Sequence, residues 1–133
     1  MIKEIDETKR PKICDFLSNF GSIIPTFESY DHYYVFEENQ VWISFAYFQI
    51  FYERAELLYL YVNENDRNLG YGTKFLKSLL DKMNHLGVEE ITLEVNVQNE
   101  QAIHLYKKCG FEIVRTIKNY YQNQDGYMMY RKL

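Results

Sequence analysis

At 133 residues, 47% of them hydrophobic and 26% charged, the chain has the length for one buried core and not for two, and it lies far from the composition of disordered segments. A net charge of −4 argues against a nucleic-acid binder, which needs a basic stripe to neutralise phosphates. Cys14 and Cys109 show no Cys-x-x-Cys or Cys/His spacing, so neither a metal site nor a disulfide framework is indicated. With no apolar run of signal-peptide or membrane-spanning length, the expectation is one cytoplasmic domain over residues 1–133, without nucleic-acid or membrane partners.

Ile2 to Asp6 alternates charged and apolar residues as a short strand does. Glu7 to Phe20 then sets Ile13, Phe16, Leu17 and Phe20 at helical spacing before Gly21 ends the run. Pro25 to Asp31 reads as a loop. Tyr33 to Phe36 opens a strand that Glu38-Asn39-Gln40 turns over into Val41 to Phe51, which is rich in β-branched and aromatic residues. Glu53-Arg54 breaks that run, and Leu57 to Val62 forms a further strand, so an antiparallel meander is expected. Thr73 to Leu86 carries Phe75, Leu76, Leu79, Leu80, Met83 and Leu86 on one stripe, with Gly87 as the helix stop. Ile91 to Val97 alternates again, and Asn99 can cap a helix that buries Ala102, Ile103 and Tyr106 and ends at Cys109-Gly110. Phe111 to Tyr121 and Tyr127 to Arg131 read as two last strands around a turn at Asn123-Gln124-Asp125-Gly126. The order β-α, meander, β-α-β-α-β-β predicts an α+β fold, a mixed sheet with helices packed on its faces.

Between Val62 and Thr73 lies Arg67-Asn68-Leu69-Gly70-Tyr71-Gly72, two glycines in a tight turn that leads straight into a helix. Glycine lets backbone approach a ligand closely, and the first N–H groups of a helix have no partner within it, so the segment is suited to an anion such as a pyrophosphate. A dinucleotide fingerprint would need a third glycine where Phe75 stands, and a P-loop would need Gly-Lys-Ser/Thr where the chain has Gly72-Thr73-Lys74. Taken alone, the segment reads equally well as a plain strand-to-helix turn.

Arg67-x-x-Gly70-x-Gly72 also resembles the (Gln/Arg)-x-x-Gly-x-(Gly/Ala) signature of the GNAT acetyltransferases. A second segment, with Leu93-Glu94-Val95, Asn99, Ala102-Ile103, Leu105-Tyr106 and Gly110-Phe111, resembles the family's other signature run. The resemblance extends from about Val41 to Tyr130 and is strongest to the bacterial ribosomal-protein N-terminal alanine acetyltransferases, whose Tyr-Tyr and Asp-(Ala/Gly) features are similar to Asn119-Tyr120-Tyr121 and Asp125-Gly126 here. It implies the GNAT fold, a mostly antiparallel mixed sheet of about six or seven strands with helices on both faces, acting as monomer or homodimer. It implies acetyl-CoA as cosubstrate and no metal. The pantetheine arm would pair with the backbone of Leu60, Tyr61 and Val62, and the pyrophosphate would meet Arg67, Asn68, Leu69, Gly70, Tyr71, Gly72 and Thr73. Asn99 would contact the cofactor as well as cap its helix. Asn68, Leu69 and Tyr61 depart from the family's commoner residues, which bears on cofactor affinity and, at Tyr61, on the width of the acceptor side.

A protonated amine cannot attack a thioester, so acetyl transfer requires a proton acceptor, and the departing thiolate requires a donor. The resemblance assigns these roles to Glu94, acting directly or through water, and to Tyr106. Tyr33 and Tyr34, with Tyr120 and Tyr121, would frame an acceptor channel; Tyr-rich sheet packing explains the same residues equally well. His32, His85 and His104 have no ligand spacing and read as structural or solvated. The acceptor expected is a peptide or protein N-terminus. The alternatives are a small-molecule amine, such as a polyamine, amino sugar or antibiotic, and a non-catalytic acyl-CoA-binding module.

Overall fold

The alternating first half of the chain folds as the expected meander. In the computed structural model, which describes residues 2–21 and 24–133, β1 (Ile2–Ile5), β2 (Asp31–Glu38), β3 (Val41–Phe51) and β4 (Arg54–Val62) pair antiparallel in sequence order. Between β1 and β2 comes α1 (Arg10–Leu17), flanked by single 3-10 turns at Glu7–Lys9 and Ser18–Phe20. The β2–β3 hairpin turns on Asn39 and Gln40 at φ 51° and 66°, the left-handed pair that matches strand twist. The next turn centres on Tyr52, at φ 58°, and Arg54 starts β4 instead of breaking the run.

A parallel neighbour needs a crossover, and α2 (Tyr71–His85) supplies it, delivering β5 (Glu90–Asn96) parallel to β4. After α3 (Glu100–Lys108), β6 (Glu112–Tyr121) and β7 (Gln124–Lys132) form a hairpin whose second strand inserts beside β5. Among the described residues the result is one seven-stranded mixed sheet in the order β1-β2-β3-β4-β5-β7-β6. Ile13, Phe16 and Leu17 of α1 pack on one face against Val35, Trp42 and Phe45. On the other face, Phe75, Leu76, Leu79 and Met83 of α2, with Tyr106 of α3, pack against Ile91, Leu93 and Met129. Each fully buried aliphatic or aromatic side chain of this kind contributes about 1.5–3 kcal/mol.

Two of the sheet's pairing irregularities shape the region around β4, β5 and the last hairpin. Phe48 pairs with Leu57 while Tyr47 pairs with Tyr59, which leaves Leu58 as an extra residue in β4. Such a bulge bends its strand and shifts the side-chain alternation by one. Ala55 and Leu57 accordingly join Leu60 in the core under α2, while Tyr59 and Tyr61 turn to the α1 face.

The second irregularity corrects the expected last turn. The chain reverses at Gln122-Asn123, with Gln122 at φ 55°, and Gln124, Asp125 and Gly126 already belong to β7. Asp125 makes no turn because its carboxylate accepts the N–H of Asn119 (2.9 Å) and its carbonyl accepts the N–H of Val97 (3.1 Å). Those bonds hold a bulge in β6, where the pairing register jumps from Ile117 to Tyr121.

Tyr34 is 1% exposed, and its hydroxyl has no hydrogen-bond partner among the described residues. A buried unpaired hydroxyl destabilises a fold, so Tyr34→Phe is expected to be neutral or to stabilise by about 1 kcal/mol in urea unfolding. A loss of about 2 kcal/mol or more would reveal a partner for that hydroxyl.

Candidate active site

β4 and β5 run side by side only from Arg54↔Glu90 to Leu57↔Leu93, although both strands continue beyond. The bulge at Leu58 bends β4, and β7 pairs with β5 all the way to Asn96↔Gly126, so the two strands part. Asn63 donates its N–H to the carbonyl of Ile43, and strand alternation then turns the backbone groups of Leu60 and Val62 away from β3 and into the gap. Arg67 Nε donates to the Val62 carbonyl (3.0 Å), which covers one of these unpaired acceptors.

A cleft of about 460 Å³ opens from this gap. On one side it is lined by Leu60, Tyr61 and Val62, and at its far end by Arg67, Asn68, Gly70, Gly72 and Thr73. Gly70 enters α2 at φ 83°, and no side chain caps the helix, which leaves its first N–H groups facing outward with the positive end of the dipole. α3 forms the opposite wall with Gln101, His104, Leu105 and Lys108. The Gln101 amide donates to Asn68 Oδ1 (3.1 Å), tying that wall to the loop. Asn99 accepts the N–H of Ala102 (3.2 Å) as the α3 cap and also lines the cleft.

On the α1 face of the same gap, Glu94 accepts a hydrogen bond from the Tyr120 hydroxyl. That bond pushes the Tyr120 phenol up to about 12, with lesser contributions from burial and the Glu94 charge. Burial, then the Glu94 charge, raises Tyr121 as well. Tyr106 of α3 packs in the core on the α2 face, near Tyr61 and Tyr121; it is 9% exposed, and among the described residues its hydroxyl has no hydrogen-bond partner. Burial raises its phenol well above the ordinary value, with the phenols of Tyr121 and Tyr61 adding to the effect. At neutral pH the Tyr106 proton is therefore held in place. Gly126 makes room for the tyrosine pair, since a Cβ there would lie 3.1 Å from the Tyr121 ring and 3.2 Å from that of Tyr120.

The profile of the Acetyltransferase (GNAT) family matches residues 4–111. The chain belongs to the GNAT family. It is similar to an N-alpha-acetyltransferase of Sulfurisphaera tokodaii, 38% identical over 79 residues, which are 58% of this chain and 47% of that one. It is also similar to a [ribosomal protein bS18]-alanine N-acetyltransferase of Haemophilus influenzae, 33% identical over 99 residues, 74% of this chain and 66% of that one. The chain thus spans about half to two thirds of the length of these curated relatives. Among solved structures, the ribosomal-protein-S18-alanine N-acetyltransferase of Escherichia coli superimposes with a TM-score of 0.87 over 99% of this chain and 92% of that one, at 22% identity. That likeness establishes the GNAT fold.

Of the residues singled out in the sequence, Leu60, Tyr61, Val62, Arg67, Asn68, Gly70, Gly72, Thr73 and Asn99 line the cleft, Glu94 meets Tyr120 beside Tyr121 on the α1 face, and Tyr106 lies on the α2 face. Leu69 is 67% exposed and Tyr71 packs against Phe36, so neither lines the cleft. Tyr33 and Tyr34 do not join the gap. They are buried on opposite faces of β2, Tyr33 donating its hydroxyl to the Thr26 carbonyl (2.8 Å). The sequence reading missed the α3 wall. Gln101, Leu105 and Lys108 recur at helical spacing along one face, and His104, read as structural or solvated, lies on that wall.

Gly126→Ala is expected to push the Tyr120 ring off Glu94. The Tyr120 titration midpoint, followed by NMR on ring-labelled tyrosine, should fall from about 12 toward the ordinary value near 10. An unchanged midpoint would mean that the ring contact with Gly126 does not hold the pair.

Proposed function

We propose that the chain is an acetyl-CoA-dependent N-acetyltransferase whose acceptor is a primary amine, in the first instance a peptide or protein N-terminus. One observation carries the reading. Beside a gap between two parallel strands stand a carboxylate on one face and, on the other, a buried phenol with no hydrogen-bond partner among the described residues, close to the cleft residue Tyr61. The residues around it suit acetyl-CoA. The cleft offers free strand backbone for an amide-bearing arm, with uncapped helix N–H groups, Arg67 and Lys108 for its phosphates.

Acetyl-CoA supplies an acetyl group activated as a thioester. Glu94 takes the proton from the ammonium of the acceptor, directly or through water, so that the nitrogen can attack; the Tyr120 hydroxyl orients that carboxylate. Tyr106 donates its proton to the departing sulfur, a role that needs a phenol held protonated and positioned. The phenols of Tyr121 and Tyr61 neighbour that of Tyr106, and Tyr61 also lines the cleft. The N-terminal acceptor class is supported by Asn119-Tyr120-Tyr121 and Asp125-Gly126. Together these set the tyrosine pair over Glu94, and they are the segments that resemble the ribosomal-protein alanine acetyltransferases.

Tyr106→Phe and Glu94→Gln are each expected to lower kcat about 10²–10⁴-fold with acetyl-CoA binding little changed. Stopped-assay kinetics together with calorimetric titration of CoA would check this. Equal loss of binding and rate would reassign Tyr106 to cofactor packing. Turnover of polyamines or amino sugars, with no N-terminal peptide acetylated, would move the acceptor class to small amines.

A further inference from the structure

Three amide side chains that the proposed chemistry does not use form a closed ring at the end of β5. Asn96 stands two residues beyond Glu94 and on the same face, since Ile91, Leu93 and Val95 turn to the core under α2. Its Nδ2 donates to Gln124 Oε1 (2.6 Å), the Gln124 amide donates to Gln98 Oε1 (2.8 Å), and the Gln98 N–H donates back to Asn96 Oδ1 (2.9 Å). Every member gives and accepts, and turning over the amide of Asn96 or Gln124 would break two of the bonds. The ring lies where regular pairing has run out. β7 pairs with β5 only as far as Asn96↔Gly126, so Gln124 and Asp125 lie beyond that ladder. β6 is an edge strand whose register jumps from Ile117 to Tyr121, which leaves Tyr120 outside the β6–β7 pairing.

The hairpin end that carries Tyr120 and Tyr121 is tied to the connector between β5 and α3 by the ring and by the Val97 N–H, which donates to the Asp125 carbonyl (3.1 Å). The same connector carries Asn99, whose N–H donates to the Asn96 carbonyl (2.9 Å) and which lines the cofactor cleft. We infer that Gln98 and Gln124 are positioning residues for acetyl transfer: through the ring they clamp the β6–β7 hairpin to the connector, hold Tyr120 on Glu94 and fix the acceptor surface against the cofactor wall. Gln98 acts through Gln124, the register partner of Tyr121. The clamp itself is independent of the acetyltransferase reading, and its effect on rate rests on that reading.

Gln98→Ala tests this, because Gln98 is exposed and the substitution removes its bond to Gln124 while the backbone bond to Asn96 stays. By NMR on ring-labelled tyrosine, the Tyr120 titration midpoint is expected to fall from about 12 toward the ordinary value near 10. On an N-terminal peptide acceptor, kcat/KM is expected to fall about three- to tenfold, as for the loss of one neutral hydrogen bond, with calorimetric CoA binding unchanged. Gln98→Glu keeps an oxygen for the Gln124 amide and is expected to restore both. Gln124→Ala removes both of its ring bonds and should move the midpoint at least as far. An unchanged Tyr120 midpoint in Gln98→Ala, even with lower thermal stability, overturns the inference, because the ring would then be a structural brace alone. A fall that Gln98→Glu does not reverse overturns it too, as does a shifted midpoint with kcat/KM unchanged in an active enzyme. The two readings fail separately. A midpoint that shifts and is restored, in a protein that acetylates no amine, would sink the acetyltransferase reading and keep the clamp.

Discussion

The whole candidate site depends on one departure from regular pairing, the parting of β4 from β5 after Leu57↔Leu93. A sheet closed along this line would leave no free backbone at Leu60 and Val62 and no passage between its faces. Three local features force the strands apart: the extra residue Leu58, the full-length claim of β7 on β5, and the loop that carries Val62 toward the uncapped start of α2. Unpaired strand groups normally cost a fold stability. Here Arg67 satisfies one of them, and the rest face a cleft that a ligand with its own amides could fill.

The side chains that flank the parting come from the two faces of the sheet. Tyr106 is anchored in the core under α2 through its edge-on contact with Phe111, while Glu94 faces the α1 side. Without the gap they would sit on opposite sides of a continuous layer. The β6–β7 hairpin completes the arrangement: Asp125 pins the bulge at Asn119, Gly126 yields space, and the tyrosine pair folds over the carboxylate. On the α1 face, rings continue from Phe20 stacked on Tyr61 (3.9 Å), through Tyr59 and Tyr47, to Tyr33. Most of these tyrosines are therefore packing, and only the end of the row comes near the gap.

How much could be read in the sequence depends on which interactions were local. The α2 stripe, the Gly87 stop and the Asn99 cap are set within a few residues, and each appears where the pattern indicates. The loop glycines and the Leu93–Phe111 run were legible because backbone approach and helix termini impose residue types at fixed spacing. The last turn was misplaced because Asp125-Gly126 has hairpin chemistry in isolation, whereas long-range bonds to Asn119 and Val97 draw it into the sheet. Tyr33 and Tyr34 resembled acceptor residues by type, and only the burial of β2 between β1 and β3 removes them from the gap. The Leu58 bulge leaves no local signature, so the facing of Tyr59 and Tyr61 could be known only from three dimensions.

If the open backbone edge of β4 is the seat of the acetyl-CoA arm, amide hydrogen exchange with and without CoA reads that edge directly. The amides of Leu60 and Val62 should exchange quickly in the free protein and slow markedly when CoA is bound, together with the first amides of α2. CoA binding that leaves the Leu60 and Val62 amides unaffected, or amides already protected without it, would contradict this seating.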